Sequence, residues 1–265
     1  MNYFQSLIIA IIEGITEFLP ISSTAHMKLA NPLLHITETP FTNLFEVLIQ
    51  LAAILSVVVI YWKKFFDFKN ISFYIKLVIA IIPALIIGGL FKKHIDAALS
   101  NLTFISIVMI AGGIILLFID KIFTTRNNFD EEKNISYPKA FIIGVFQTLS
   151  IIFPGLSRSA ATIIGGMSQK LTRKLAAEFS FFLAVPTMFA ASVKSFWDVY
   201  KHNPEVIAKD NMSTLAIGGI VSFVVALIAI KFFINYVTKY GFRLFGWYRI
   251  VLGVSFLIYL YNFPQ

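Results

Sequence analysis

Long apolar runs, interrupted at a few polar points, divide this chain before any motif is sought. A helix that crosses a bilayer needs about 20 mostly apolar residues. Six stretches meet that length, roughly 44–62, 74–91, 102–119, 175–196, 213–234 and 245–262. Residues 102–119 and 213–230 contain no charge at all. Two further stretches are broken. Residues 3–34 are interrupted by Pro20 and Ser22-Ser23-Thr24, and residues 138–170 by Pro154-Gly155 and Ser157-Arg158-Ser159. Neither half of either stretch is long enough to cross comfortably. Proline ends helices and glycine frees the backbone. Unwound backbone at membrane depth persists only where protein buries it or where it lines a wet cavity. Both stretches are therefore expected to form re-entrant helix–loop–helix hairpins, a kinked spanning helix being the plainer alternative.

The pattern also repeats. Glu13 precedes Pro20 by the same interval as Gln147 precedes Pro154, and a hydroxyl-rich turn follows each proline. Phe45-Glu46 then leads into one apolar run and Glu178-Phe179 into its counterpart. Each half would hold one hairpin and three spans. An odd number of spans between the hairpins inverts the second half relative to the first, as in transporters whose ligand site lies where two inverted repeats meet. The predicted fold is an all-α polytopic membrane protein with about six transmembrane helices, two re-entrant hairpins and an inverted-topology repeat. It forms a single membrane domain over 1–265, divided into a repeat half 1–120, a linker 121–137 and a repeat half 138–265. The linker's acidic cluster, Asp130-Glu131-Glu132, is expected to be a solvated loop.

Composition agrees with a membrane protein. Of 265 residues, 58% are hydrophobic and only 14% charged, with a mean hydropathy of +0.81; soluble domains carry about 25% charged residues. The formal net charge of +8 does not imply a nucleic-acid partner, because the basic residues sit at the ends of apolar runs and form no stripe. Such an excess usually anchors cytoplasmic loops beside anionic lipid. One side receives Lys63, Lys64, Lys69, Lys121, Arg126, Lys133, Lys170, Arg173, Lys174, Lys239 and Arg243. The other receives Lys92, Lys93, Lys201 and Lys209, partly offset by Glu38, Asp96, Asp198, Glu205 and Asp210. The first side is expected to be cytoplasmic and both termini outside. There is no cysteine, which excludes disulfides and thiolate metal sites. Residues 1–27 carry no Lys or Arg, so the basic region of a cleavable signal peptide is missing and the N-terminus is expected to be that of the mature protein.

The chemistry lies in what stays polar at membrane depth. Glu13 and Glu17, spaced i, i+4, point from one face of the first half-helix, and intramembrane carboxylates are functional until shown otherwise. Ser22, Ser23, Thr24 and His26 follow the first break. In the second hairpin, Ser157, Arg158 and Ser159 stand at the mouth of a new helix. Free N–H groups and the positive dipole end favour anions there, and the guanidinium fork suits phosphate. Opposed hairpins would make one cavity, with carboxylates, hydroxyls and an imidazole on one wall and an anion clamp on the other. That inventory fits phosphoryl transfer at a lipid head group.

These residues carry a resemblance. The run Glu13-Gly14-Ile15-Thr16-Glu17-Phe18-Leu19-Pro20-Ile21-Ser22-Ser23-Thr24-Ala25-His26, with Pro154-Gly155-Leu156-Ser157-Arg158-Ser159-Ala160-Ala161-Thr162, resembles the two signature motifs of the undecaprenyl pyrophosphate phosphatase (bacitracin-resistance protein) family. Phe45-Glu46-Val47-Leu48-Ile49-Gln50-Leu51 matches a further family segment, and the likeness runs the whole chain. It implies an enzyme of the bacterial cytoplasmic (inner) membrane that removes the terminal phosphate of undecaprenyl pyrophosphate. Such an enzyme recycles the lipid carrier of peptidoglycan precursors and lowers the target for bacitracin. It implies too that Glu13 and Glu17 hold a divalent cation, Mg²⁺ or Ca²⁺, against the pyrophosphate; oxygen-only ligation suits those ions.

For each residue a structural role stands beside the catalytic one. Ser23 is a candidate nucleophile or a helix cap, and His26 a general base, a nucleophile or a capping imidazole; water is the third nucleophile left open. Ser22, Thr24, Ser157, Ser159 and Thr162 are phosphate donors or caps, and Gln50 and Gln147 would line the cavity. Glu46 and Glu178 read equally well as interhelical hydrogen-bonders, and His35, His94 and His202 fall near loops. Arg158 is the residue least explained by structure alone. Partners expected are the bilayer and undecaprenyl pyrophosphate, no nucleic acid, and a second copy as a homodimer left open. Two other functions compete: a lipid-carrier flippase or transporter, which the repeats favour, and a head-group binder without turnover. The active site is expected to face outside, because the carboxylates and His26 belong to the hairpin entering from there.

Overall fold

A computed structural model describes residues 1–123, 129–207 and 209–263. Arg126 and the linker core 124–128 lie outside the described residues, as do the side chains of Lys92, Lys209 and Asp210. In chain order the α-helices are α1 (Tyr3–Thr16), α2 (Ser23–Leu33), α3 (Pro40–Ile60), α4 (Trp62–Phe65), α5 (Ile71–Leu90) and α6 (Lys92–Leu99). There follow α7 (Leu102–Phe123), α8 (Tyr137–Ile152), α9 (Arg158–Ser168), α10 (Arg173–His202), α11 (Lys209–Tyr240) and α12 (Arg243–Asn262). No strand occurs among the described residues, whose single β-bridge joins Phe129 to Leu171.

Six of these helices are long and apolar enough to cross a membrane: α3, α5, α7, α10, α11 and α12. They coincide with the six apolar runs. The chain is a multi-pass membrane protein, and its outer surface carries the large hydrophobic side chains expected of one, among them Leu85, Ile86, Ile107, Phe118, Ile228 and Val251. The two broken stretches form the paired short helices α1–α2 and α8–α9. The breaks begin earlier than the prolines suggest. Helix α1 ends at Thr16 and α8 at Ile152, ahead of Pro20 and Pro154.

The two helix pairs share a backbone signature. Among the described residues, four non-glycine residues have positive φ: Ser22 (71°), His35 (52°), Ser157 (77°) and Lys170 (64°). Ser22 and Ser157 enter α2 and α9, while His35 and Lys170 follow their ends at identical spacing. Left-handed backbone is costly for such residues, and the two helix pairs carry it at the same relative positions. The packing is reciprocal too. Helix α1 lies against α11 of the second half, and α8 lies against α5 of the first. Glycine permits both approaches. A Cβ on Gly14 would stand 2.7 Å from the Ser222 carbonyl oxygen, and one on Gly144 would stand 2.1 Å from that of Ala80. Small residues at such crossings let helix backbones meet closely in membranes. Helices from the N-terminal and C-terminal parts of the chain are thus interleaved.

The linker is not merely a solvated loop. Glu132 pairs with Lys64, its carbonyl accepts from Lys76 at 3.2 Å, and Asp130 accepts from Thr172 at 2.9 Å. Asp120 joins Arg173 at 2.7 Å and accepts from the Phe242 N–H at 2.8 Å. Lys64, Lys133, Lys170, Arg173 and Arg243 thus belong to loops that meet at one end of the bundle. Helix α6 stands at the other end, one length of α5 away.

Candidate active site

The turns of the two helix pairs face each other and enclose a chamber of about 70 Å³. Glu17, Ser22, Ser23 and Thr24 come from the first turn, Ser157 and Arg158 from the second, and Gln50 and Met188 from α3 and α10. Helices α2 and α9 both begin here, so two sets of free N–H groups and two positive dipole ends converge on it. The left-handed serines build this arrangement. Ser22 caps α2 by accepting from the Ala25 N–H at 3.4 Å, and Ser157 caps α9 by accepting from the Ala160 N–H at 3.2 Å.

Glu17 organises the chamber. Ser23 donates to its Oε2 at 2.5 Å, and Arg158 Nη2 donates to its Oε1 at 2.9 Å. Arg158 also donates from Nη1 to the Ser180 carbonyl at 3.1 Å, while its buried Nε has no acceptor among the described residues. The guanidinium therefore has a structural partner that the sequence did not suggest, and it keeps a spare donor. Glu13 lies one helical turn deeper. Its side chain is 0% exposed, and neither carboxylate oxygen has a hydrogen-bond partner among the described residues. Uncompensated buried carboxylates are costly, so Glu13 requires a proton or a cation. Glu13 with Glu17 therefore fits a divalent cation only if ligand oxygens complete the shell, as they do where one or two carboxylates hold Mg²⁺ against phosphate. Among the described residues, no group of three or more His, Asp or Glu converges as a metal site.

The other sequence-nominated residues divide. Ser159 donates to the Leu19 carbonyl at 2.8 Å and shares a 2.9 Å hydrogen bond with Ser157, tying the second turn to the first. Thr162 donates to the Arg158 carbonyl at 2.9 Å and meets Ser180 at 2.6 Å. Both brace the turn from behind, so neither is placed as a phosphate donor. His26 is not brought to the chamber. Its Nδ1 lies 2.8 Å from the Ser22 carbonyl and its Nε2 2.8 Å from the Tyr248 hydroxyl. A single tautomer, Nδ1–H donating and Nε2 accepting, satisfies both contacts. Gln147 misses the chamber as well and pairs with Thr187 at 3.4 Å.

Sequence reasoning missed Arg249 of α12. It is 0% exposed and is the largest fully buried side chain. Its Nη1 donates to the carbonyls of Pro20 and Leu156 at 3.0 and 2.7 Å, Nη2 to that of Gly155 at 2.8 Å, and Nε to that of Met109 at 3.2 Å. One guanidinium thus holds both turns. Gly112 makes room, since a Cβ there would sit 2.2 Å from Arg249 Nη2. The signal was present, as Arg249 is the one charge within the apolar run 245–262.

Above the chamber a wider cavity of about 610 Å³ shares Ser22, Thr24, Gln50, Ser157 and Arg158 with it. Its rim includes Asp96 and Ser100, so it opens at the α6 end, away from the basic loops. On its wall Lys28 pairs with Glu38 at 2.6 Å and with Glu46 at 3.5 Å, and Asn31 donates to Glu46 at 2.8 Å. Glu46 is therefore an interhelical partner, one of its two sequence readings. Glu178 is likewise within 3.4 Å of the Tyr61 hydroxyl.

Residues 6–255 match the model of the family described as bacitracin resistance protein BacA. The chain belongs to this family. It is 53% identical to an undecaprenyl-diphosphatase of Flavobacterium psychrophilum over 97% of this chain and 96% of that protein. It is 47% identical to one from Porphyromonas gingivalis, over 96% and 95% of the respective lengths. A Bdellovibrio bacteriovorus protein of the same name is 45% identical over 99% of this chain and 97% of its own.

Proposed function

We propose that this protein is an integral membrane phosphatase that hydrolyses undecaprenyl pyrophosphate to undecaprenyl phosphate and inorganic phosphate. It thereby recycles the peptidoglycan lipid carrier and confers bacitracin resistance. Membership of the family and the names of its relatives support the reaction. The observation that carries the mechanism is the Ser23–Glu17–Arg158 linkage inside a chamber where two helices start.

Arg158 receives the terminal phosphate, using the forked donors that suit such a group, and the N–H groups at the starts of α2 and α9 share its negative charge. Ser23 Oγ attacks the terminal phosphorus while Glu17 Oε2, already hydrogen-bonded to that hydroxyl, takes its proton. The anhydride bond breaks and undecaprenyl phosphate leaves. Glu17 passes that proton to the departing undecaprenyl phosphate. It then takes one from the water that attacks the Ser23 phosphoryl group, and returns it to Ser23 Oγ as inorganic phosphate leaves. His26, with both ring nitrogens engaged, acts on this scheme only by holding the Ser22 carbonyl. Glu13 and Glu17 would hold a divalent cation, which when bound neutralises charge on the pyrophosphate.

The cavity opens opposite the basic loops, which supports an outward-facing site in the bacterial cytoplasmic membrane. A flippase or a non-catalytic binder is separated from this reading by one assay. Purified protein in detergent, with no gradient, should release inorganic phosphate from undecaprenyl pyrophosphate. Binding without release would refute the proposal.

A further inference from the structure

A second, apolar groove leaves the chamber sideways. It measures about 410 Å³ and runs between α5, α8 and α10. Ile81, Ala84, Leu85, Ile151 and Ala190 are among its apolar lining residues. Two of its polar residues, Gln147 and Thr187, are within hydrogen-bonding distance of each other. The groove is continuous with the site already described. Arg158 lines the chamber, the wide cavity and the groove; Met188 lines both chamber and groove; and Ser150, Ile151 and Ala191 are common to groove and wide cavity.

We propose that this groove holds the first isoprene units of the lipid substrate and sets chain selectivity. The inference rests on the phosphatase reading and adds the place where the tail lies. A lipid pyrophosphate is an amphiphile, so fixing its head at Arg158 requires an apolar path from that point into the bilayer. The wide cavity is not that path, since its wall presents Lys28, Glu38, Glu46 and Asp96. Hydrocarbon among those charges would forgo the gain from burying methylenes in apolar surroundings. The groove is the more apolar alternative, its charged lining residues being Arg158 at the chamber and Lys194 of α10, with Met188 as an adaptable side chain at its threshold. Its outer wall is open at Gly88 and Gly89, where a Cβ would meet nothing within 4 Å. Both glycines line the groove, so a side chain can be started there without a clash at Cβ.

The test fills the groove and reads chain-length dependence. Phosphate release is measured for wild type, Gly88→Trp and, as a control on the same helix but outside the groove, Ile86→Trp, using geranyl, farnesyl and undecaprenyl pyrophosphates. Wild type and Ile86→Trp are expected to show kcat/KM rising with chain length. Gly88→Trp is expected to flatten that rise, losing about tenfold or more on the longest substrate through KM, with little change on the shortest. Thermal unfolding of the three proteins should coincide. No release from any substrate by wild type would refute the phosphatase reading itself. With active wild type, a chain-length series unchanged by Gly88→Trp, or an equal loss on all three substrates, overturns the groove. Equal gains on all three would make an ordinary membrane lipid the occupant and overturn it as well.

Discussion

Glu17 and Arg158 lie 141 residues apart in the chain and form a 2.9 Å ion pair across the two turns. The same carboxylate accepts from Ser23 at 2.5 Å. One side chain therefore aligns the proposed nucleophile and the proposed anion clamp before substrate arrives. Removing it should harm more than proton transfer. Glu17→Gln is expected to reduce kcat by about 10²-fold or more, the range lost with a positioned general base. Glu17→Ala should also lower the melting temperature, because it leaves a largely buried guanidinium without its carboxylate, a change costing about 3–5 kcal/mol when the pair is fully buried. A Glu17→Gln protein with wild-type turnover would remove Glu17 from the reaction.

Arg249 supports the same geometry from behind. Its four carbonyl acceptors include Pro20 in one turn and Gly155 and Leu156 in the other. Lysine keeps the charge but loses the fork. Arg249→Lys is expected to lower kcat by about 10²-fold, the effect of displacing reacting groups by about 1 Å, with KM changed much less. It should also unfold at lower temperature. A variant that is less stable but keeps wild-type kcat would confine Arg249 to structure.

Glu13 is buried, and both its oxygens are without a hydrogen-bond partner among the described residues. If a divalent cation supplies the missing charge, chelator should abolish phosphate release and Mg²⁺ or Ca²⁺ should restore it. Glu13→Gln and Glu17→Gln should each raise the metal concentration needed for half-maximal rate. Full activity in chelator would assign Glu13 a proton instead and remove the metal.

The basic loops and the wide cavity lie at opposite ends of the bundle. Single cysteines replacing Asp96 and His202, both exposed, are expected to react with an impermeant maleimide in intact cells, and one replacing exposed Lys63 is not. The same expectation of no labelling for Asn127 concerns a residue outside those described. The chain has no cysteine of its own, so the background is clean. The reverse pattern would turn the site to the cytoplasm.

Much of the fold was legible because lipid imposes simple rules. Uninterrupted apolar runs such as 102–119 can only be buried or lipid-facing, and Ser-Ser-Thr or Ser-Arg-Ser at mid-depth must face protein or water. Two things were hidden. Pairings such as Glu17 with Arg158 depend on how the halves interlock, which the glycine approaches at Gly14 and Gly144 decide and no local pattern reports. Side-chain direction was the other. His26 and Gln147 sit within or near the signature motifs, yet helix rotation turns the first to Tyr248 and the second to Thr187. Arg249 was overlooked because one charge in an apolar run reads as a tolerated exception. Buried in protein, it has four carbonyls to hold.

The proposed reaction depends most directly on Arg158. Phosphate release from undecaprenyl pyrophosphate should be compared in wild type, Arg158→Lys and Arg158→Ala, each shown to be folded by its melting curve. Wild type is expected to turn over without any gradient. Arg158→Ala should fall by about 10³-fold or more, as when an arginine that stabilises phosphoryl-transfer charge is removed, and Arg158→Lys should recover little of it. Near-normal release by folded Arg158→Ala would contradict a phosphatase site between the two turns.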